Sequence, residues 1–216
     1  MAGKGCVCAC AALAEQLRSP ATTAKTAFLS CQLHERNSIL FLSRLPSAPE
    51  TCLQTKIHRE NVSAEGFRFA IVASRWNDSL TSKLLDGALE ALKSLGAAQD
   101  AVEVFRVPGA FELPLASLKA AETGAFDAVI AIGVVIRGET PHFDYVAGQA
   151  AAGITNASLQ SGIPIMFAVV TTDTLEQAID RAGGRSGNKG YEAAAAAVEV
   201  ANLYRSMKGR EKAAKG

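Results

Sequence analysis

The chain reads as an α/β protein with a four-stranded parallel sheet and helices on both faces. Three observations predict it. From Phe67 onward, short apolar runs rich in β-branched residues alternate with segments of helical period. The run Asp127–Ile136 is almost wholly apolar, as expected of a central strand covered on both faces. Turn and stop residues (Gly96, Pro108-Gly109, Gly124) stand where segments end.

Taken in order, Phe67–Ser74 is the first buried strand. Asn77 or Asp78 is placed to cap the next helix, whose Leu80, Leu84, Ala88, Leu92 and Leu95 form one apolar stripe closed by Gly96. A second strand, Ala101–Val107, stops at Pro108-Gly109, and a helix over Leu115–Thr123 ends at Gly124. After the Asp127–Ile136 strand come a helix from about His142 to Leu159, a strand Pro164–Thr171 and a short helix Thr174–Ala182. A Gly-rich loop leads to a last helix, Tyr191–Lys208. Right-handed crossovers then put helices on both sides of the sheet.

Composition bounds the function. With 49% hydrophobic and 20% charged residues among 216, the chain is an ordinary globular one. A net charge of +1 gives no reason to expect nucleic acid or an anionic membrane as partner. No stretch approaches the roughly 18 apolar residues of a membrane span. The charge is unevenly spread: residues 1–62 hold seven basic and four acidic side chains, and residues 63–216 hold 15 and 17. All five cysteines precede residue 63, so the remainder has no disulfide and no Cys-ligated metal. Residues 1–62 are rich in Ala, Ser and Thr, basic and without apolar period, and read as a disordered organelle transit peptide. A secretory signal fits worse, because Glu15 follows the short apolar run Cys10–Leu13 at once. The Cys6, Cys8, Cys10 cluster matches no common zinc spacing, and Ala2 excludes myristoylation. Residues 63–216 form the folded domain.

In open α/β sheets ligands bind beyond the carboxyl ends of the strands, and the chemically capable residues gather there. Trp76, the single tryptophan, follows the first strand; it serves either as a plug over the sheet or as a flat face for a planar heterocycle. After the second strand, Phe111-Glu112 offers an aromatic face beside an acceptor for hydroxyl groups. After the third come Arg137-Gly138-Glu139-Thr140-Pro141-His142, with Thr140 as N-cap and Pro141 at the first helical position. The free N–H groups of such a turn suit phosphate. His142, the only histidine of the domain, stands in the same turn, where the helix end disfavours the imidazolium and leaves a ring able to accept a proton. Asp144 is close enough in sequence to be considered as its orienting partner. After the fourth strand, Arg181, Arg185 and Lys189 flank a Gly-rich run that is not a Walker A loop, since Gly190 follows Lys189. No GxGxxG motif is present. These residues suggest an enzyme with one His acid/base, a phosphate site and an aromatic surface, without metal or redox cofactor.

The stretches FAIVASRWND, VPGAFELPLA, DAVIAIGVVIRGETPHFDYV and TTDTLEQAIDRAGGRSGNKGYEAA, in that order, resemble the 6,7-dimethyl-8-ribityllumazine synthase family over about residues 66–208. The resemblance implies a flavodoxin-like three-layer sandwich that needs no cofactor. It implies condensation of 5-amino-6-(D-ribitylamino)uracil with 3,4-dihydroxy-2-butanone 4-phosphate, releasing phosphate and water, in the penultimate step of riboflavin synthesis. Trp76 would stack on the pyrimidine, and Ala110, Phe111, Glu112, Val134, Val135, Ile136 and Phe167 would hold it with its ribityl chain. Glu139 and Thr140, chiefly through their backbone, and Arg181 would hold the phosphate. His142 matches the proton-transfer residue, and Asp144 and Lys189 are supporting positions. Glu139 departs from the small residue some members carry, so its side chain is expected to point into solvent. The family assembles as pentamers with sites between subunits. The loop Gly183–Gly190 resembles the short form of members that build a 60-subunit icosahedral shell. A transit peptide then points to the plastid, with the mitochondrion as alternative. The rival of the same fold is a non-catalytic lumazine or flavin carrier, which has no need of His142, Arg181 and the phosphate turn together.

Overall fold

The structure is a computed structural model that describes residues 62–214. The expected leader lies outside the described residues except for Val62.

Strand β1 (Phe69–Ser74) is buried along its whole length. It pairs in parallel with β2 (Val102–Val107) on one side and with β3 (Ala128–Ile136) on the other. Strand β4 (Ile165–Thr172) pairs in parallel with β3, giving the order β2-β1-β3-β4. Alternation along the strands divides the core into two layers. Phe69, Ile71, Ala73, Ile130 and Ile132 meet α1 (Asp78–Ser94) and α5 (Lys189–Ala214) through Leu84, Leu92 and Val198. Ala70, Val72, Val129 and Ala131 meet α2 (Leu113–Glu122) and α3 (His142–Ser161) through Leu113, Val146 and Ile154. The result is the expected α/β three-layer sandwich of the flavodoxin-like kind. No helix among the described residues is long and apolar enough to cross a membrane.

Several element ends differ from the sequence reading, each for a local reason. A short 3-10 turn, Ala110–Glu112, leads into α2, which begins at Leu113 because Pro114 is accepted in the first turn. The helix expected at Thr174 begins after it: the Thr174 hydroxyl accepts the Gln177 N–H at 3.3 Å and caps α4 (Leu175–Arg181). The Gly-rich loop contains a small antiparallel hairpin, β5 (Ala182–Gly184) with β6 (Gly187–Asn188), turned by left-handed Gly183 (φ 102°) and Gly187 (φ 77°). Helix α5 starts at Lys189 because the Asn188 side chain accepts the N–H groups of Gly190 and Tyr191. Asn188 also donates to the Lys83 carbonyl at 2.8 Å, which fixes the hairpin against α1.

Gly190 lets the start of α5 lie close against the α1 backbone. A Cβ there would overlap the carbonyl oxygen of Leu84, whereas Gly209, farther along the same helix, faces open space. Gly190→Ala is therefore expected to lose about 1–3 kcal/mol through overpacking. Gly209→Ala is expected to gain roughly 0.5–1 kcal/mol from helix propensity. Denaturant unfolding of both variants checks the contrast; equal midpoints would overturn the close α1–α5 approach.

Candidate active site

The strand order reverses direction at β1, whose successors lie on opposite sides of it, so the crevice of this sheet opens between the carboxyl ends of β1 and β3. The residues following β1, β2 and β3 build that rim.

The turn after β1 is tied down by backbone: Arg75 and Trp76 donate to the carbonyls of Val107 (2.8 Å) and Pro108 (3.0 Å). Trp76 is 61% exposed, so in this chain it is a presented surface and not a buried plug. Its ring rests against Gly109, where an added Cβ would come within 2.6 Å of the indole. Glycine is thus required there by the close approach. Asn77 occupies the N-cap position of α1, but its side chain does not cap the helix. It donates instead across the crevice to the Val134 carbonyl of β3 at 2.9 Å. To do so its backbone adopts φ 57°, the only left-handed non-glycine among the described residues. Asn77 is therefore not the side-chain cap expected of it: the Nδ2 bond to Val134 orients the amide, and its Oδ1 accepts none of the first N–H groups of α1. Asp78 is drawn outward to Arg106 at 2.6 Å.

After β2, the Glu112 carboxylate accepts the Gly109 N–H through Oε2 at 2.8 Å, closing the turn that carries Ala110 and Phe111. Its other oxygen has no hydrogen-bond partner among the described residues and stays available to a ligand. Ala110 and Val134 are buried, Val135 and Ile136 half-buried, and Phe111 is 57% exposed. An aromatic pair, an apolar floor and one acceptor thus share this part of the rim.

The turn after β3 is exposed from Arg137 to His142. Glu139 is exposed. Thr140 is not the N-cap: α3 begins at His142 with Pro141 in the cap position, and no side chain caps it. The reason lies in Pro141, which disfavours helical backbone at the residue before it and supplies the first carbonyl, accepting from the Asp144 N–H at 3.0 Å. The N–H groups of His142 and Phe143 have no hydrogen-bond partner among the described residues, which leaves them open to an anion. Asp144 is engaged by Arg137 at 3.1 Å, not by His142. Arg137 also reaches Asp173 at 2.8 Å and lies over the Phe143 ring at 4.1 Å. The hydrogen bond that the guanidinium donates to Asp173, and then its bond to Asp144, hold it above its ordinary value.

The fourth group lines a depression of its own. Phe167, 45% exposed on edge strand β4, lines a depression of about 400 Å³ with Arg181, Lys189 and Glu192. Trp76, Phe111 and His142 are not among its lining residues. Arg181 donates to the Gln177 carbonyl and Lys189 pairs with Glu192, so both cations are held at the depression. Beside them the hydrogen bond from Arg185 holds the Asp180 carboxyl below its ordinary value. A hollow of about 370 Å³ at the opposite strand ends, between Phe67, Pro164 and Arg205, includes none of the expected site residues. Among the described residues no cluster of His, Cys, Asp and Glu is placed to hold a metal. Sequence reasoning gave no role to Arg137, Asp173 or the Asn77 bridge; an arginine ending a strand, with Phe and Asp six and seven residues on, was the available signal.

The Asn77 bridge is testable through the backbone. Asn77→Gly keeps the left-handed turn and loses the bond to Val134, at about 1 kcal/mol. Asn77→Ala loses both, adding roughly 1–2 kcal/mol of strain. Chemical unfolding ranks the two, and Trp76, as the single tryptophan, reports the turn by its emission in each. Equal stability of the Gly and Ala variants would overturn the left-handed assignment.

A family model described as 6,7-dimethyl-8-ribityllumazine synthase matches residues 66–205. Proteins bearing that name are similar to this chain over the same region. That of Clostridium kluyveri is 52% identical over 152 residues, 70% of this chain and 99% of the relative. Those of Chlorobium luteolum and Desulfatibacillum aliphaticivorans are 50% and 54% identical, over 72% and 68% of this chain and 100% and 95% of their own lengths. A family model matched over most of the chain, and relatives half identical along almost their whole length, show that the chain belongs to the 6,7-dimethyl-8-ribityllumazine synthase family.

Proposed function

We propose that this chain condenses 5-amino-6-(D-ribitylamino)uracil with 3,4-dihydroxy-2-butanone 4-phosphate to 6,7-dimethyl-8-ribityllumazine, phosphate and water. Family membership supports the reaction, and the division of site residues into two separate groups supports the way it is carried out. The amine attacks the ketone and a first water leaves as the imine forms, phosphate is eliminated, and ring closure onto the second carbonyl expels a second water. Each step moves protons and needs an anchored anion more than a strong nucleophile.

In this reading the pyrimidine stacks on Trp76, with Phe111 beside it and the free oxygen of Glu112 accepting from the ribityl hydroxyls. The start of α3 and the backbone of Glu139 and Thr140 receive the phosphate, and His142 takes and returns protons from the same turn. Arg181 and Lys189 supply positive charge, and Phe167 supplies a second apolar wall.

The observation that carries the assembly is that the Phe167, Arg181 and Lys189 depression excludes the Trp76 crevice of the same chain. A complete site then forms between neighbouring copies, with the depression of one facing the crevice of the next. Exposed Trp76, Phe111, Leu115, Tyr145 and Leu159 are apolar surface that such contacts would cover. A pentamer is the assembly we propose, with a 60-subunit shell as the higher state favoured by the short Gly183–Gly190 segment. Residues 1–62 act as a plastid address.

Fluorescent lumazine formation from the two substrates tests the reaction. The parent is expected to produce it, and His142→Ala to do so about 10²–10⁴-fold more slowly, as for loss of a general acid–base group. Tight binding of a ribityl-pyrimidine analogue without product would overturn the enzyme reading; an unchanged His142→Ala rate would overturn the histidine's role alone. Light scattering checks the assembly, with a mass of five or sixty chains expected and a monomer ruling out shared sites. Residues 1–62 fused to a fluorescent protein are expected to enter plastids, and mitochondrial import would reassign the address.

A further inference from the structure

Among the described residues, no side chain from Gly138 to His142 makes a hydrogen bond, and α3 begins without a side-chain cap. A bare turn of this kind is a poor scaffold for an anion and a proton-transfer group, both of which need fixed geometry. What fixes it stands at its edges. Arg137 closes the segment on itself: its guanidinium reaches past the turn to the Asp144 carboxylate (3.1 Å) and lies over the Phe143 ring (4.1 Å). The same side chain reaches the Asp173 carboxylate (2.8 Å) in the β4–α4 connection, and its own N–H donates to the Thr172 carbonyl (2.9 Å). One residue thereby joins the end of β3, the first turn of α3 and the approach to α4.

We infer that Arg137, with Asp144 and Asp173, is a clamp that positions the His142 turn for the phosphate-bearing substrate. This rests on the proposed role of that turn and adds the group that makes it rigid. Arg137 does not touch substrate in this account. Its planar fork and stacking face are both in use, which a lysine cannot reproduce. The partners are exposed, at 60% and 67%, so the clamp contributes little to global stability. Its effect falls on the geometry of the turn.

The test uses steady-state kinetics of the full chain, with inorganic phosphate as competing ligand. Arg137→Ala is expected to lower kcat/KM for the butanone phosphate on the order of ten- to a hundredfold. It should weaken inorganic phosphate in parallel, leaving KM for the pyrimidine and the unfolding midpoint within about twofold and a degree or two. Arg137→Lys is expected to rescue only part of the loss. Asp144→Asn is expected to weaken phosphate and to add nothing further in the Arg137→Ala background, because the two act as one unit. If Asp144→Asn binds phosphate as well as the parent or better, Arg137 is a direct phosphate ligand and the clamp is overturned. Equal losses for both substrates, or none, would also overturn it.

Arg181→Ala, run alongside, separates the two readings. Weakened phosphate in Arg181→Ala with an unaffected Arg137→Ala would sink the clamp alone. The reverse pattern would sink the Arg181 assignment and leave the clamp standing.

Discussion

Strand β1 lies between two parallel neighbours with every residue buried, and this burial governs the rest of the molecule. A strand covered on both faces and paired along both edges leaves little room for polar side chains, and the one it has, Ser74, stands at its carboxyl end. Polar chemistry is pushed to the strand ends, where backbone groups run out of partners. The carboxyl ends inherit it, because there the chain turns into helix N-termini that present N–H groups outward. The reversal of strand order at β1 then opens a crevice for Trp76, Phe111 and the β3–α3 turn.

The crevice is held together by contacts that cross it. Asn77 ties the turn after β1 to β3, Trp76 ties it to the turn after β2 through its backbone N–H, and Glu112 closes the second of these turns. Each uses a backbone partner, so the site-bearing loops are fixed to the sheet before a ligand arrives. That pre-organisation is what a condensation between two mobile substrates requires. The Phe167 depression is built separately, on the edge strand and the hairpin, and is braced against α1 through Asn188.

Much of this is legible in the sequence because it follows from local period. Phe69–Ser74 and Ala128–Ile136 declare themselves by apolar content, and the helices by stripes such as Leu80, Leu84, Ala88 and Leu92. The placing of Trp76, Phe111 and His142 just beyond strands β1, β2 and β3 follows from the topology alone, whereas Arg181 closes α4. The parts that differ are decided by partners far away in sequence. Asn77 stands at the start of its own helix yet turns its amide to donate to the Val134 carbonyl, 57 residues on. Asp144 lies beside His142 in sequence and pairs with Arg137, which is itself turned toward Asp173, 36 residues on. Asn188 begins α5 two residues before the apolar pattern does, because a side-chain amide fixed by Lys83 can cap what periodicity cannot see. Thr140 is displaced by its neighbour, a proline whose ring sets where the helix starts.

The first described residues run along the other rim of the sheet. The Ser63 carbonyl accepts from Asn202 and the Ala64 N–H donates to the Leu95 carbonyl, both at the amino ends of the strands. A six-residue strand at about 3.3 Å per residue separates that rim from Trp76 by roughly 20 Å. Whatever polypeptide is joined ahead of Val62 is therefore attached at the pole opposite the crevice of its own chain. For an engineer this makes Val62 a natural handle: a graft joined there meets the described fold at the rim that carries neither Trp76 nor Phe111.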